Sequence, residues 1–158
     1  VAAEPVAEPL GRLFEGAPRF IERLRATQPN EYLAALLEGA ERIVLEMPEE
    51  EQVELLNAHP RIGAAPATVS AMSYREQGYE RDPGTAQLQE RLEQLNDEYE
   101  RRFGFRFVIF VNGRPRSQIA DLMETHLVAD RAAELERGLR DVIAIARDRA
   151  RELEAGQG

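Results

Sequence analysis

The stretch FGFRFVIFV, Phe103 to Val111, decides the fold class. It alone in the chain is dense enough in aromatic and β-branched residues to read as a strand. A lone strand has nothing to pair with, and the sequence on either side repeats at three and four residues. The segment is therefore expected to be extended and buried within an all-α protein, a compact multi-helix bundle.

Working outward, Leu88, Leu92, Leu95 and Tyr99 predict a helix that follows the turn at residues 80–84, with Thr85 as its cap. On the other side, Asn112-Gly113 turns the chain. Pro115 and Ser117 then open a helix with the stripe Ile119, Leu122, Met123 and Leu127. Residues 129–154 read as a last long helix whose apolar face is Leu135, Leu139, Val142, Ile143 and Ile145. Arg140, Arg147, Arg149 and Arg151 lie in its C-terminal half, where the helix dipole favours positive charge.

Nearer the N-terminus, residues 1–8 read as a tail or linker and 9–155 as one domain. Leu10, Leu13 and Phe14 make a short stripe. Pro18 suits a first helical turn leading to Phe20, Ile21 and Leu24. Asn30, after Pro29, is expected to cap a helix carrying Leu33, Leu36, Leu37, Ala40, Ile43 and Val44 and ending near Met47. Pro48 and the acids Glu49, Glu50 and Glu51 open the next helix, with Val53, Leu55 and Leu56 as its apolar face. Pro60 forces the residue before it out of the helical region, so His59 is predicted just past a helix end. The stretch RIGAAPATV follows as a loop. Ser73 and Glu76 have the spacing of a capping box, so a short helix or turn is expected to begin there.

Composition narrows the function classes. The 158 residues are 43% hydrophobic, which supports one core, and only 6% aromatic with no Trp, a balance of helical surfaces. The absence of Cys excludes thiolate metal sites, disulfides and cysteine nucleophiles. A formal net charge of −9 repels phosphate backbones and anionic lipid, so neither nucleic acid nor a membrane is an expected partner. No apolar run approaches the roughly 20 residues that span a bilayer, and a cytoplasmic location is expected. The acidic run at 49–51 reads as a solvated helix end rather than a metal site, and no phosphate loop or nucleophile elbow is present. Of the two histidines, His126 reads as a surface residue and His59 as the chemically placed one.

AHPRIG at 58–63, SYREQ at 73–77, LNDEYERRFGFRFVIFVNGR at 95–114 and the EL…IARDR pattern at 134–149 together resemble the OHCU decarboxylases. These enzymes remove carbon dioxide from 2-oxo-4-hydroxy-4-carboxy-5-ureidoimidazoline in urate degradation. The likeness covers roughly residues 10 to 153 and implies an all-α domain, commonly a homodimer, that uses no metal or organic cofactor. It implies His59 as the proton donor, with Pro60 and Ser73, Tyr74, Arg75, Glu76 and Gln77 lining the substrate. The backbone of Phe107, Val108, Ile109, Phe110 and Val111 is implied to bind the ureidoimidazoline, and Arg147 to face it from the last helix. Arg149, about 200° further round that helix, is expected to face elsewhere.

The chemistry suits these groups. Decarboxylation leaves an electron pair that the adjacent C=N and C=O can hold, so the protein must orient the ring, stabilise charge and deliver a proton to one face. His59 is expected to titrate near neutral pH, and one fixed acid sets the hand of the product. Glu76 is expected to hold the imidazole in its working state or to accept from the substrate hydroxyl, Gln77 to meet the ureido edge, and Arg147 to orient the carboxylate. These groups are expected to converge on one hollow. Typical family members carry small residues such as Cys and Ala where this chain has Phe110 and Val111, which suggests a related lyase or hydrolase acting on another ureido acid. A helical interaction module without activity, joined to or associated with a urate oxidase, is the third reading.

Overall fold

A computed structural model describes residues 10–27, 33–64, 71–77 and 86–157. Every regular element among them is helical: α1 (Pro18–Thr27), α2 (Leu33–Glu46), α3 (Glu49–Asn57), α4 (Ala71–Glu76), α5 (Ala86–Phe103), α6 (Arg116–His126) and α7 (Arg131–Gln157). The expected caps at Asn30 and Thr85, the N-terminal tail and the 80–84 turn lie outside the described residues. None of the described helices is long and apolar enough to cross a membrane. The chain divides into two compact units, residues 1–59 with 139–158, and residues 60–138.

The first unit begins with a helical turn over residues 10–13, which closes through Glu15 (φ 52°) and Gly16 (φ 73°). The Gly16 N–H donates to the carbonyl of Gly11 at 2.9 Å, so the left-handed pair terminates the turn. Pro18 then opens α1. Leu10, Leu13, Phe14, Phe20, Leu24, Leu37, Ala40, Val44, Leu55 and Leu56 are buried, with Val142, Ile143 and Ala146 from α7. Phe14 and Phe20 meet edge to face at 4.8 Å. On α3 the inward face is Gln52, Leu55 and Leu56, with Val53 half-buried. Gln52 is tolerated inside because its Nε2 donates to the Val44 carbonyl at 2.9 Å, one of the acceptors left over at the end of α2. Ion pairs of Arg19 with Glu54 and of Arg23 with Glu51 tie α1 to α3.

In the second unit, α5 ends at Gly104 (φ 82°), whose N–H donates to the Glu100 carbonyl at 2.9 Å. Phe103, Phe105 and Phe107 surround the buried Tyr99 ring at 4.6, 5.9 and 5.1 Å between centroids. Phe105, Phe107, Val108, Ile109 and Val111 are buried and Phe110 is half-buried, in a segment that is neither helix nor strand. Arginines take the place of a partner strand: Arg137 donates to the Val108 carbonyl, and Arg114 to those of Phe110 and Val111. Asn112 (φ 50°) and Gly113 (φ 77°) turn the chain into α6.

Two expectations are corrected here. Ser73 is not the start of its helix but the third residue of α4, and Glu76 is the last, so the two do not hold the N-cap and N3 positions. His126 is not a surface residue. Its side chain is 24% exposed and its Nδ1 lies 3.1 Å from the buried carboxylate of Glu134.

Candidate active site

In the first unit the chemistry centres on His59. The Ala58 cap and the Pro60 ring end α3, and the imidazole folds back so that Nδ1 lies 3.0 Å from the carbonyl of Leu55, four residues earlier. A carbonyl can only accept, so in the neutral ring Nδ1 carries the proton and Nε2 does not. His59 is 3% exposed. Burial pushes its pKa down to about 4, the Leu55 bond opposes this, the Arg149 guanidinium lowers it further and Glu15 raises it. The expectation of titration near neutral pH is thereby overturned: desolvation keeps the ring uncharged.

Arg149 is 1% exposed. Its Nη1 donates to the carbonyl of Arg12 at 2.7 Å and reaches that of Leu13 at 3.4 Å, and its Nη2 pairs with Glu15 at 2.7 Å. The left-handed backbone at Glu15 thus ends the first helical turn at the residue that neutralises a buried arginine. Arg147 has a 46% exposed side chain, 3.9 Å from Glu41, which also pairs with Arg140. A sequence signal for Arg149 existed. Leu135, Leu139, Val142 and Ala146 are spaced four, three and four residues apart, and the next step of three lands on Arg149.

In the second unit, Pro60 is half-buried and the loop after it is held by amide side chains. The Gly63 N–H donates to Gln77 Oε1 at 2.8 Å, and Gln77 Nε2 donates to the Arg61 carbonyl at 3.3 Å. Gln89 donates to the Gly63 carbonyl at 2.7 Å and Asn96 to that of Ile62 at 3.0 Å. Arg61 is anchored outside by Glu100 and Asp97. Gly63 has φ 80°, and a Cβ there would stand 2.9 Å from Leu92 Cδ1, so the loop requires glycine. Gln77 therefore shapes the Arg61–Gly63 backbone with both ends of its amide. Glu76 is half-buried and Arg75 exposed, and the side chains of Ser73 and Tyr74 lie outside the described residues. Asn96 belongs to the stretch at 95–114 that carries the resemblance but has no role assigned from sequence, and Gln89 is not singled out at all, because a helical glutamine or asparagine carries no pattern that tells a loop clamp from a solvated side chain. No cluster of three metal-binding side chains occurs among the described residues.

The family model for OHCU decarboxylase matches residues 2–151. The chain belongs to the OHCU decarboxylase family. It is 30% identical over 136 residues to the 2-oxo-4-hydroxy-4-carboxy-5-ureidoimidazoline decarboxylase of Haloferax volcanii, covering 86% of this chain and 81% of that protein. It is also 30% identical to the uric acid degradation bifunctional protein PucL of Bacillus subtilis over 98% of this chain, but spans only 31% of that longer protein. A crystal structure of an OHCU decarboxylase in the presence of (S)-allantoin has the same fold, with a TM-score of 0.72 at 20% identity over 92% of this chain and 96% of that one.

Proposed function

We propose that this chain decarboxylates 2-oxo-4-hydroxy-4-carboxy-5-ureidoimidazoline to (S)-allantoin, with His59 moving the proton. Membership of the family carries the reaction, and the single observation that supports the role of His59 is its buried ring, bonded through Nδ1 to the Leu55 carbonyl. A histidine with a pKa of about 4 enters the reaction neutral, so it begins as a base. The bond to the carboxylate breaks, and its electron pair moves through the ring to the C=N nitrogen, which takes a proton from solvent. Nε2 accepts the proton of the neighbouring hydroxyl, whose carbon becomes a carbonyl. It then gives that proton to the carbon bearing the ureido group. The same burial and the same Arg149 charge that disfavour the imidazolium make it a strong acid while it lasts. A proton transfer group of this kind contributes roughly a hundredfold or more to the rate.

The arginine role passes from Arg147 to Arg149, whose charge acts on the ring. Pro60, Ser73, Tyr74, Arg75 and the backbone of Phe107 to Val111 are kept as substrate contacts in this proposal, and Glu76 as the carboxylate that accepts from the substrate hydroxyl. Gln77 contributes by shaping the loop after Pro60. A homodimeric state, a cytoplasmic location and fusion to or association with a urate oxidase belong to the same proposal. The last draws on the Bacillus relatives, which are bifunctional proteins of uric acid degradation.

Urate, a urate oxidase and the hydrolase that follows it generate the substrate in solution, and optical rotation then reports allantoin. Rapid formation of one enantiomer is expected when the protein is added. Unchanged formation of the racemate by a folded sample refutes the proposal.

A further inference from the structure

The second unit holds a buried charge cluster that the reaction above does not use. Glu134, 2% exposed, receives hydrogen bonds from Tyr99 Oη at 2.7 Å and from Arg137 Nε and Nη2 at 2.9 and 2.6 Å. His126 Nδ1 lies 3.1 Å from its other oxygen. Burial opposes the charge on Glu134, but the bonds from Arg137 and Tyr99 outweigh it and hold the carboxyl below its ordinary range. With two nitrogens on Glu134, Arg137 turns Nη1 to the Val108 carbonyl at 3.0 Å and lays its guanidinium over the Phe107 ring at 5.1 Å.

The backbone it grips is unusual. Among the described residues, the N–H groups of Phe107, Val108, Ile109 and Val111 donate to nothing, and the carbonyls of Phe107 and Ile109 accept from nothing, although all four residues are buried. Buried peptide groups are nearly always paired, so a run of them left open is matched by a ligand that brings both donors and acceptors, as ureas and cyclic amides do. An open run of this kind needs something other than a partner strand to keep its shape.

We propose that Arg137, locked by Glu134, is a positioning residue that fixes the Phe107–Val111 backbone as a template for the amide edges of the substrate. The proposal rests on the substrate contacts named under the proposed function. Arg137 touches no reacting atom. Its planar fork joins a carboxylate to a carbonyl, which a lysine amine cannot do with the same geometry.

The test uses the full chain with Arg137→Met and Arg137→Lys, read by amide hydrogen exchange and by steady-state kinetics. Both variants are expected to exchange the amides of residues 107–111 faster than the parent, and to raise KM about tenfold or more with kcat little changed, as loss of a charge-assisted bond to a binding surface implies. Added guanidinium is expected to lower the KM of Arg137→Met again. If Arg137→Met does not fold, Arg137→Lys decides alone. Unchanged KM and unchanged exchange in a folded variant, against an active parent, overturn the positioning role. An inactive parent whose 107–111 amides still loosen on substitution overturns the decarboxylase reading instead and leaves the template standing.

Discussion

Each unit contains one histidine, one buried or nearly buried glutamate and one arginine paired with it, and the two sets differ in what the imidazole touches. In the first, Glu15 is taken by Arg149, and His59 is left against the Leu55 carbonyl, 3% exposed. In the second, Glu134 serves Arg137 and His126 at once, and the imidazole has a carboxylate beside it. A carbonyl neighbour in a dry site favours a neutral ring, whereas Glu134 takes the N–H of His126 together with the bonds from Tyr99 and Arg137. The residue types are shared, so the difference lies in the acceptor that the local backbone supplies.

Replacing each histidine by glutamine is the sharpest way to break this comparison. His59→Gln is expected to lower kcat by roughly a hundredfold or more, as removal of a proton-transfer group does, with the helical circular dichroism kept. His126→Gln is expected to leave kcat within a few fold. Equal losses in the two variants would make the distinction between the sets meaningless.

The arginines of α7 come next. Arg149→Met breaks the 2.7 Å ion pair with the largely buried Glu15, and about 3 kcal/mol of stability is expected to go, read by denaturant unfolding. Arg147→Met removes a half-exposed guanidinium and is expected to stay within about 0.5 kcal/mol of the parent. The opposite ranking would mean that the pair with Glu15 is not the stronger anchor of the two.

That pair also shows where the sequence was legible. Periodicity located the helices to within a few residues, and the lone aromatic stretch was correctly kept out of any sheet, because both readings depend on local patterns of apolar letters. Arg149 stands in reserve behind Arg147 on helical rotation alone, and the apolar stripe does not promote it. A charged letter on an apolar stripe reads as an interruption, and only the tertiary partners Glu15 and the carbonyls of Arg12 and Leu13 make its burial tolerable. His59 was placed correctly at a helix end by Pro60, but its depressed pKa depends on burial among side chains remote in sequence. The Glu134 cluster was missed because Tyr99, His126, Glu134 and Arg137 meet only once α5, α6 and α7 have packed.

The acid limb of stability tests the charge state of His59. Its pKa in the folded chain, about 4, lies below the ordinary 6.5, so between those values the unfolded chain binds a proton that the folded chain refuses. Stability from this group is full above about pH 6.5 and is lost as pH falls toward about 4, at no more than about 1.4 kcal/mol per pH unit. His59→Gln is expected to flatten that stretch of the curve. Arg149→Met removes a positive charge that disfavours the imidazolium, so it is expected to move the acid limb of kcat/KM toward neutral pH.

The smallest effect belongs to His126. Its ring is one of three donors on Glu134, and Tyr99 and Arg137 remain when it is removed. His126→Gln is therefore expected to cost about 1 kcal/mol, the net value of one hydrogen bond, because the glutamate keeps its charge and its other partners. Tyr99→Phe in the same background serves as the control. It strips a second donor from the same buried carboxylate, and the double variant is expected to lose more than the sum of the single ones, since each donor covers part of the desolvation cost when the other is absent. Strict additivity would mean that the bonds to Arg137 alone carry Glu134, with the histidine a bystander in the second unit.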